Sequence, residues 1–235
     1  MTLDTVMIFA AGRGTRMREL TDRLPKPLIQ VCGKPLIDHA LDLADAAGIR
    51  RKLINTHYLG HLLADHMKAR DDVMISHEKD GALETGGGLK HALGQLDRDV
   101  VLTLNPDIIW SGANPLTNLR NAWQPNKMAA LLMLVPLENA TGHKYSGDFN
   151  IDETGRVSRH SATSGKAYVY TGAQVLQTRQ VREISDTRFS FNVLWDQLIA
   201  QGRLFGAIHS GGWADVGSPE GIDLAQQMMQ SVSDV

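Results

Sequence analysis

The sequence predicts an α/β fold: a single-domain, three-layer α/β/α sandwich with a Rossmann-like, mostly parallel mixed sheet. Short apolar runs alternate with amphipathic segments along most of the 235 residues, which is the order expected of repeated βαβ units. Glycine-rich turns follow several of the apolar runs, as they do at ligand sites of such sheets. Hydrophobic residues make up 43% of the chain, enough for a core between the layers.

The first half of the chain predicts strands and helices in strict alternation. Apolar runs rich in Val, Ile and Leu predict buried strands, and 3.6-residue periodicity bounded by Pro or Gly predicts helices. In chain order these are strand 6–9, helix 35–47, strand 52–55, helix 59–69, strand 73–76, helix 85–96, strand 100–104, helix 115–123 and strand 129–135.

The pattern changes after Pro136. Residues 148–152 and 156–160 flank Glu153-Thr154-Gly155 and predict a hairpin. Beyond them we expect strand 168–172, helix 191–200, strand 204–208 and helix 219–231. Since no linker, repeat or low-complexity run interrupts the sequence, we expect a single domain over 1–235.

Composition excludes several classes of protein. The net charge of −2 argues against a general nucleic-acid or membrane partner. The single cysteine, Cys32, permits no internal disulfide, fits a reducing cytoplasm, and is expected to be a small core residue. The first residues lack the basic and apolar regions of a signal peptide, and the longest apolar run, 128–135, is too short to span a bilayer. We therefore expect a cytoplasmic protein.

The most informative segment is Ala10-Ala11-Gly12-Arg13-Gly14-Thr15, called the glycine loop below, which follows the first strand directly. Two glycines around an arginine let the backbone turn tightly and present N–H groups to a ligand. Arg16, Arg18 and Lys26 add positive charge, and a proline on each side stiffens Lys26. This combination predicts a triphosphate site.

Two better-known glycine motifs do not fit. The dinucleotide fingerprint needs a third glycine where Met17 stands. The P-loop ends in Gly-Lys-Ser/Thr, whereas Gly165-Lys166 is followed by Ala167. The plain alternative, an ordinary strand-to-helix turn, would have no use for a lysine held between two prolines.

Two aspartates are candidate metal ligands. Asp107 comes just after strand 100–104, and Asp215 lies in the glycine-rich turn 211–217. Each also has a structural alternative, as a turn-forming residue or a helix cap. If both reach the carboxyl edge of the sheet, they suffice for Mg²⁺, which takes one or two carboxylates together with substrate phosphates and water.

A second glycine cluster follows Glu84-Thr85 as Gly86-Gly87-Gly88. Glycine in a helix interior costs about 1 kcal/mol against alanine, so three in a row indicate that something approaches the backbone closely. A nucleobase or a phosphate would fit, and a flexible loop is the alternative. The histidines show no zinc-ligand spacing.

These motifs together resemble the sugar-1-phosphate nucleotidyltransferases. The resemblance rests on the glycine loop continued by Arg16-Met17, on Pro25-Lys26-Pro27-Leu28, on Asn105-x-Asp107 and on Trp213-x-Asp215-Val216-Gly217, and it covers residues 6 to about 225. Leu83-Glu84-Thr85 with its glycines, Gly147-Asp148-Phe149 and Phe191-x-x-x-Leu194-Trp195 resemble one branch, the N-acetylmuramate 1-phosphate uridylyltransferases.

The resemblance implies a nucleotidyltransferase fold and Mg²⁺-dependent transfer from an NTP, expected to be UTP, to a sugar 1-phosphate, expected to be N-acetylmuramic acid 1-phosphate. It implies a nucleotide-binding part at about 1–112 and a sugar-phosphate-binding part at about 113–235. The expected residues are catalytic Arg13 and Lys26, metal-binding Asp107 and Asp215, nucleotide-binding Ala11, Gly12, Gly14, Thr15, Thr85 and Gly86, and sugar-phosphate-binding Gly147 and Lys166.

Other functions stay open at this point. A mannose-1-phosphate guanylyltransferase, or another enzyme of the class, has the same frame. A non-catalytic nucleotide-sugar-binding regulatory protein is a further alternative, although such a protein could drop charges that this chain keeps. The expected partners are the nucleoside triphosphate and the sugar 1-phosphate, and the expected assembly is a monomer or a small homo-oligomer.

Overall fold

The computed structural model describes residues 3–161, 163 and 165–233. Its strands are β1 (Thr5–Phe9), β2 (Gln30–Val31), β3 (Lys34–Pro35), β4 (Arg51–Thr56), β5 (Val73–His77), β6 (Val100–Leu104), β7 (Ile108–Trp110), β8 (Ala130–Pro136), β9 (Ala140–Thr141), β10 (Phe149–Ile151), β11 (Val157–Arg159), β12 (Tyr168–Gln177), β13 (Leu204–Ile208) and β14 (Trp213–Asp215). Its helices are α1 (Leu36–Ala46), α2 (Gly60–Met67), α3 (Glu84–Ala92), α4 (Pro115–Ala122), α5 (Thr178–Arg182), α6 (Phe191–Ala200) and α7 (Pro219–Ser233).

Nine strands of the described chain form one mixed sheet. Strands β5, β4, β1 and β6 lie side by side in that order and are parallel. Strand β12 runs antiparallel to β6 and to β8, and β13 is parallel to β8. The hairpin β10–β11 joins through β12. The predicted α/β class with a mixed sheet is confirmed.

Helices cover both faces of the sheet because side chains alternate along each strand. On one face Val6 and Ile8 of β1 pack with residues of α1, α2 and α4. On the other face Met7 packs with residues of α3, α5 and α6. Two cores on opposite faces of one sheet make the three predicted layers.

The antiparallel half of the sheet departs from the predicted elements. The strand expected at 168–172 continues as β12 to Gln177, with a register shift between Tyr170 and Gln174 against β8. The short strands β7, β9 and β14 form a separate three-stranded sheet. Strands of two or three residues carry too little alternation to be seen in a sequence.

Cys32 is exposed, so its expected place in the core is wrong. It forms the two-residue turn between β2 and β3 with Gly33, and both residues have positive φ, 50° and 75°. Such a turn points away from its strands. The neighbouring Val31 is buried and supplies the core contact instead.

The order of the parallel strands defines the place of a ligand site. From β1 the chain builds outward through β4 and β5, and then returns to the other side of β1 as β6. A crevice forms where the direction of building reverses, beyond the carboxyl ends of β1 and β6. None of the helices in the described ranges combines the length and apolar character that crossing a bilayer demands.

Candidate active site

A first cavity, of about 270 Å³, lies beyond the ends of β1 and β6. The glycine loop forms one wall, and residues 106–107, which follow β6, form another. This is the crevice in which open α/β sheets bind ligands. The residues that line it are Phe9, Ala10, Gly12, Gly14, Thr15, Arg16, Lys26, Pro27, Pro106, Asp107 and Gly217.

The glycine loop bends at Gly14, whose φ of +68° is in the left-handed region. A Cβ on Gly14 would lie 2.9 Å from the Cβ of Lys26, so glycine is needed both for the bend and for the approach of this lysine. The Gly14 carbonyl accepts a hydrogen bond from Met17 N at 2.8 Å, and the Met17 side chain is buried. Local packing therefore fixes the shape of the loop.

Lys26 is buried at the start of the 3₁₀ turn Lys26–Leu28. Its ammonium group forms an ion pair with the carboxylate of Asp107. A buried charge is stable only with a partner, and Asp107 provides it. Two of the residues predicted from separate motifs, 81 positions apart, thus meet in the wall of the first cavity.

Asp215 approaches the same edge from β14. This strand pairs with β7, and Val216 N donates to the carbonyl of Asp107 at 2.9 Å. Burial raises the pKa of the Asp215 carboxyl, and the nearby Asp107 raises this pKa further, against the opposing effect of Lys26 and Arg16. The structure therefore places the two predicted metal ligands close enough to repel each other.

Arg16 lies between Asp215 and the first cavity. A Cβ on Gly217 would be 2.9 Å from both Arg16 Nη2 and Asp215 Oδ1, so both side chains flank this glycine. Arg16 and Asp215 also line a small third cavity of about 100 Å³ together with Lys144 and Ser218. The edge of the sheet therefore brings acidic and basic groups close together.

The donor set of this edge fits a magnesium ion. Asp107 and Asp215 supply hard carboxylate oxygens, and their mutual repulsion gives a divalent cation a favourable place. Within the described residues no cluster of three or more His, Cys, Asp or Glu side chains could hold a metal. Two carboxylates without a third protein ligand suit Mg²⁺, because its remaining ligands are phosphates and water.

A second cavity, of about 190 Å³, adjoins the first and shares Phe9, Gly12 and Asp107 with it. Its other walls come from β4, from the loop after β5 and from the start of α3. These residues are Ala11, Asn55, Glu78, Ala82, Glu84, Thr85 and Asn105. Thr85, predicted as a nucleotide contact, is thus beside a cavity, while its Oγ1 accepts a hydrogen bond from Phe191 N at 3.0 Å.

The glycine run in α3 has a different cause from the expected one. A Cβ on Gly86 would lie 2.3 Å from the ring of Phe189, and one on Gly87 would lie 2.4 Å from the Thr187 carbonyl. The expected close approach is present, but the protein itself makes it, so no base or phosphate is needed to explain these two glycines. Gly86 is buried against Phe189 and is not among the residues lining the two cavities.

The remaining predicted residues lie at the margins. The Arg13 guanidinium stacks over the ring of Tyr58, with 5.1 Å between its Cζ and the ring centroid. Lys166 forms an exposed ion pair with Glu138 at 2.6 Å. Gly147, with a φ of +99°, would place a Cβ 2.8 Å from that of Ala167, so Gly147 lies beside the segment that carries Lys166.

Reasoning from the sequence missed two residues. Arg16 was expected to add positive charge beside the glycine loop, and it lines the first cavity. Asn55 and Glu78 are buried in the wall of the second cavity. Asn55 lies near the carboxyl end of β4 and Glu78 directly follows β5, and only the parallel pairing of these strands brings the two residues together. The alternation of strands and helices could have placed them at the same edge as Asp107.

Comparison with known proteins agrees with this geometry. A family model described as "Nucleotidyl transferase" matches residues 5–231. The N-acetylmuramate alpha-1-phosphate uridylyltransferase of Caulobacter vibrioides is 38% identical over 223 residues, covering 91% of this chain and 92% of its own. The enzyme of the same name from Neisseria meningitidis serogroup B is 33% identical over 218 residues, with 90% and 92% covered.

A solved structure shares the fold. HddC from Yersinia pseudotuberculosis, complexed with GMP-PN, superimposes with a TM-score of 0.77 at 19% identity over 96% of this chain and 99% of its own. At that identity the likeness concerns the fold alone. The family match spans nearly all of the sequence, and the resemblance inferred from its motifs is confirmed: the chain belongs to the nucleotidyl transferase family.

Proposed function

We propose that the protein is a sugar-1-phosphate nucleotidyltransferase that joins UTP to N-acetylmuramic acid 1-phosphate, giving the UDP-sugar and pyrophosphate. The observation that carries the proposal is the position of Asp107. It lies where the first and second cavities meet, paired with Lys26 and beside Asp215. Two relatives that are more than 30% identical over about 90% of this chain are both named N-acetylmuramate alpha-1-phosphate uridylyltransferase, which supports the choice of base and sugar.

The reaction needs no nucleophile from the protein. An oxygen of the sugar phosphate attacks the α-phosphorus, and the bond from that phosphorus to the β-phosphate bridging oxygen breaks, so that pyrophosphate leaves with the electron pair. The attacking phosphate is already ionised at neutral pH. The barrier therefore comes from charge repulsion and orientation, which the protein lowers by positioning and by fixed positive charge.

We assign the phosphates of the triphosphate to the first cavity. Backbone N–H groups of Gly12, Gly14 and Thr15 face them, and the guanidinium groups of Arg13 and Arg16 neutralise the β- and γ-phosphates and the leaving pyrophosphate. Lys26 exchanges its contact with Asp107 for the α-phosphate or the incoming sugar phosphate. The exchange keeps the buried ammonium group paired with an anion, as a buried charge requires.

Asp107 and Asp215 would hold the magnesium ion. When bound, Mg²⁺ supplies charge neutralisation at the phosphate oxygens. The carboxylates contribute their position: one is carried by the segment after β6 and the other by β14, and the hydrogen bond from Val216 N to the Asp107 carbonyl joins them. The base then occupies the second cavity, next to Ala11 and Thr85.

The sugar would lie on the side of Gly147 and Lys166. Lys166 is exposed and held by Glu138, so it is available to a ligand only when that surface ion pair opens. Solvent screens a surface pair of this kind, so opening it costs little. The protein would act in the cytoplasm, where both substrates are available.

A substrate panel tests the proposal. Each of the four nucleoside triphosphates is combined with N-acetylmuramate 1-phosphate, N-acetylglucosamine 1-phosphate or mannose 1-phosphate, with Mg²⁺, and pyrophosphate release is measured. We expect the highest kcat/KM with UTP and N-acetylmuramate 1-phosphate. Preference for GTP and mannose 1-phosphate would indicate a guanylyltransferase. Nucleotide binding without pyrophosphate release from any pair would indicate a non-catalytic regulatory protein.

A further inference from the structure

Glu78 is a buried carboxyl group that the proposed reaction does not use. Only 2% of the residue is exposed, and it forms no ion pair with any described residue. Its backbone is fixed twice: Glu78 N donates to the Thr56 carbonyl at 2.8 Å, and its carbonyl lies 2.8 Å from His57 Nδ1. A buried carboxyl group without a cation is costly, so its hydrogen bonds need an explanation.

The side chain of Glu78 is joined to Asn55, which is 3% exposed. Asn55 Nδ2 donates to Glu78 Oε1 at 2.7 Å, and Asn55 Oδ1 accepts from Ala10 N at 2.7 Å. Glu78 Oε2 accepts from Leu83 N at 2.8 Å. All four polar side-chain atoms of the pair are therefore engaged within the protein.

These bonds connect the two walls of the second cavity. Ala10 begins the glycine loop, and Leu83 immediately precedes α3, whose Thr85 lines the cavity. The chain between Glu78 and Leu83 contributes Ala82 to the same cavity. Asn55 and Glu78 thus span the distance from the proposed phosphate-binding segment to the proposed base-binding segment.

The third glycine of the run is explained by this pair. A Cβ on Gly88 would lie 2.7 Å from Glu78 Oε1 and 2.9 Å from Asn55 Nδ2. A helix former at this position would stabilise α3 by about 1 kcal/mol, yet glycine is present. The backbone of α3 therefore packs directly against the Asn55–Glu78 bridge. This is an independent observation that the helix and the pair leave little free space between them.

We propose that Asn55 and Glu78 are positioning residues that set the separation of the glycine loop and the start of α3, and so determine the affinity of the site for a nucleoside triphosphate. The inference rests on the proposed function. Each of their polar side-chain atoms already has a partner within the protein, which favours a role in holding the walls of the site over one in reading the base. Loss of the bridge therefore weakens binding of every nucleoside triphosphate alike.

Two variants break the bridge in different ways. Glu78→Gln replaces an acceptor by a donor opposite Leu83 N or Asn55 Nδ2, so one buried hydrogen bond is lost. Gly88→Ala keeps every polar group and pushes the pair apart. Each variant has a matched control. Thr56→Val loses the 3.2 Å contact of Thr56 Oγ1 with His77, one residue along β4, and Gly94→Ala adds a methyl group where no described atom beyond its immediate neighbours lies within 4 Å.

The measurements are the dissociation constant of UTP by calorimetry and the KM values for both substrates, with the melting temperature of each variant. We expect Glu78→Gln and Gly88→Ala to weaken UTP binding about tenfold, the effect of one buried hydrogen bond, and to change the KM for sugar 1-phosphate by less than about twofold. Binding of GTP and CTP weakens by the same factor as that of UTP. Both controls retain the wild-type UTP affinity.

Three results would overturn the proposal. One is unchanged UTP affinity in both folded variants, and another is equal damage to the sugar 1-phosphate KM, as a merely structural role would give. The third is a loss restricted to one base, which would make Glu78 a direct base contact. If Glu78→Gln does not fold, Gly88→Ala decides. Since UTP binding is measured without turnover, the outcome is separate from that of the substrate panel.

Discussion

At the scale of single residues, the candidate site is held by opposite charges kept close together. Lys26 is buried and paired with Asp107, while Asp215 lies next to Asp107 in a place where burial disfavours its charge. A site that must collect several phosphate groups and a cation is therefore under electrostatic strain in the protein itself. Strain of this kind predicts a conflict between activity and stability.

Replacing Asp215 by asparagine exposes that conflict. The pKa of Asp215 is raised in the folded protein, so the ionised carboxyl costs stability above that pKa and the cost disappears as the pH falls below it. We expect Asp215→Asn to raise the melting temperature at pH 7 in magnesium-free buffer and to lower kcat by about 100-fold or more, as lost charge stabilisation does. Thermal unfolding at pH 7 and pH 4 and pyrophosphate release measure both effects.

The opposite result in either measurement would contradict this assignment. A lower melting temperature at pH 7 would mean that attraction to Lys26 and Arg16 outweighs burial and repulsion by Asp107. Near-normal turnover with Mg²⁺ would remove Asp215 from the metal site. Asp65→Asn, at an exposed position of α2, is the control for loss of a carboxylate.

Arg13 and Arg51 form a matched pair for testing the glycine loop. Arg13 is on the loop, which follows the carboxyl end of β1. The exposed Arg51 begins β4, so it lies at the opposite ends of the parallel strands. We expect Arg13→Ala to lower kcat/KM by about tenfold or more, as loss of a charged phosphate contact does, and Arg51→Ala to leave it unchanged. Steady-state kinetics with UTP measure both, and equal effects would reduce the loop to a scaffold.

At the scale of elements, an ion-pair network fastens β4 to the helix before it and to the turn after α2. The Lys52 side chain is 4% exposed and pairs with Asp45 of α1 and with Asp72. Arg70 donates to both carboxylates, with Nη2 at 2.9 Å from Asp45 Oδ1 and 2.8 Å from Asp72 Oδ2. These residues fix the start of the strand that carries Asn55 near its other end, on the proposed nucleotide side.

This network predicts a loss of stability in acid. The hydrogen bonds of Arg70 hold the pKa values of Asp72 and Asp45 below the usual range. Because these pKa values are lowered in the folded protein, the two carboxylates contribute their full stability above about pH 4. That stability is lost as the pH falls through the folded-state pKa values, since protonation leaves Lys52 buried without its ionised partners. We expect Asp72→Asn to lower the free energy of unfolding at pH 7 and to flatten its dependence on pH below about 4.

Urea unfolding between pH 2 and 7 measures that dependence. Asp65→Asn is again the control, because its pair with Lys68 is exposed at one end of a helix and such screened pairs contribute little to stability. The same slope in Asp72→Asn and in the unchanged protein would show that the network carries no acid sensitivity. Because Arg70 takes part in this network, its replacement would change stability, and Arg70 therefore does not serve as a surface-arginine control for Arg13.

Elements differ in how well the sequence predicts them. The parallel strands and their helices follow from long apolar runs with Pro and Gly at the ends, and β6 and β13 are found at the predicted bounds. The antiparallel part depends on long-range pairing, such as that of Ala173 with Leu104, which no local pattern encodes. The glycine loop and Asp107 follow from local motifs, whereas the Asn55–Glu78 bridge exists only once three parallel strands align.

At the scale of the whole molecule, the site joins parts of the chain that fold as separate layers. The glycine loop and α3 come from the parallel half, while β14 and its aspartate come from the small sheet that packs against α7 through Val216 and Ala225. On the ligand side, the first cavity is lined by residues of both parts, among them Gly12, Gly14 and Gly217. A triphosphate that contacts both parts therefore stabilises the molecule as a unit.

The proposed specificity can thus be read from stability alone. A ligand present at 100 times its dissociation constant adds about 2.7 kcal/mol to the free energy of unfolding. For a domain of this size, that raises the melting temperature by roughly 5–10 °C. We expect this shift with UTP and Mg²⁺ at saturation, and a much smaller one with GTP at the same concentration. Differential scanning calorimetry of the full chain measures both. Equal shifts with the two nucleotides would contradict the uridylyl assignment while leaving the nucleotide site intact. The phosphates are common to both nucleotides, and we expect the wall that includes Ala11, Ala82 and Thr85 to distinguish the bases.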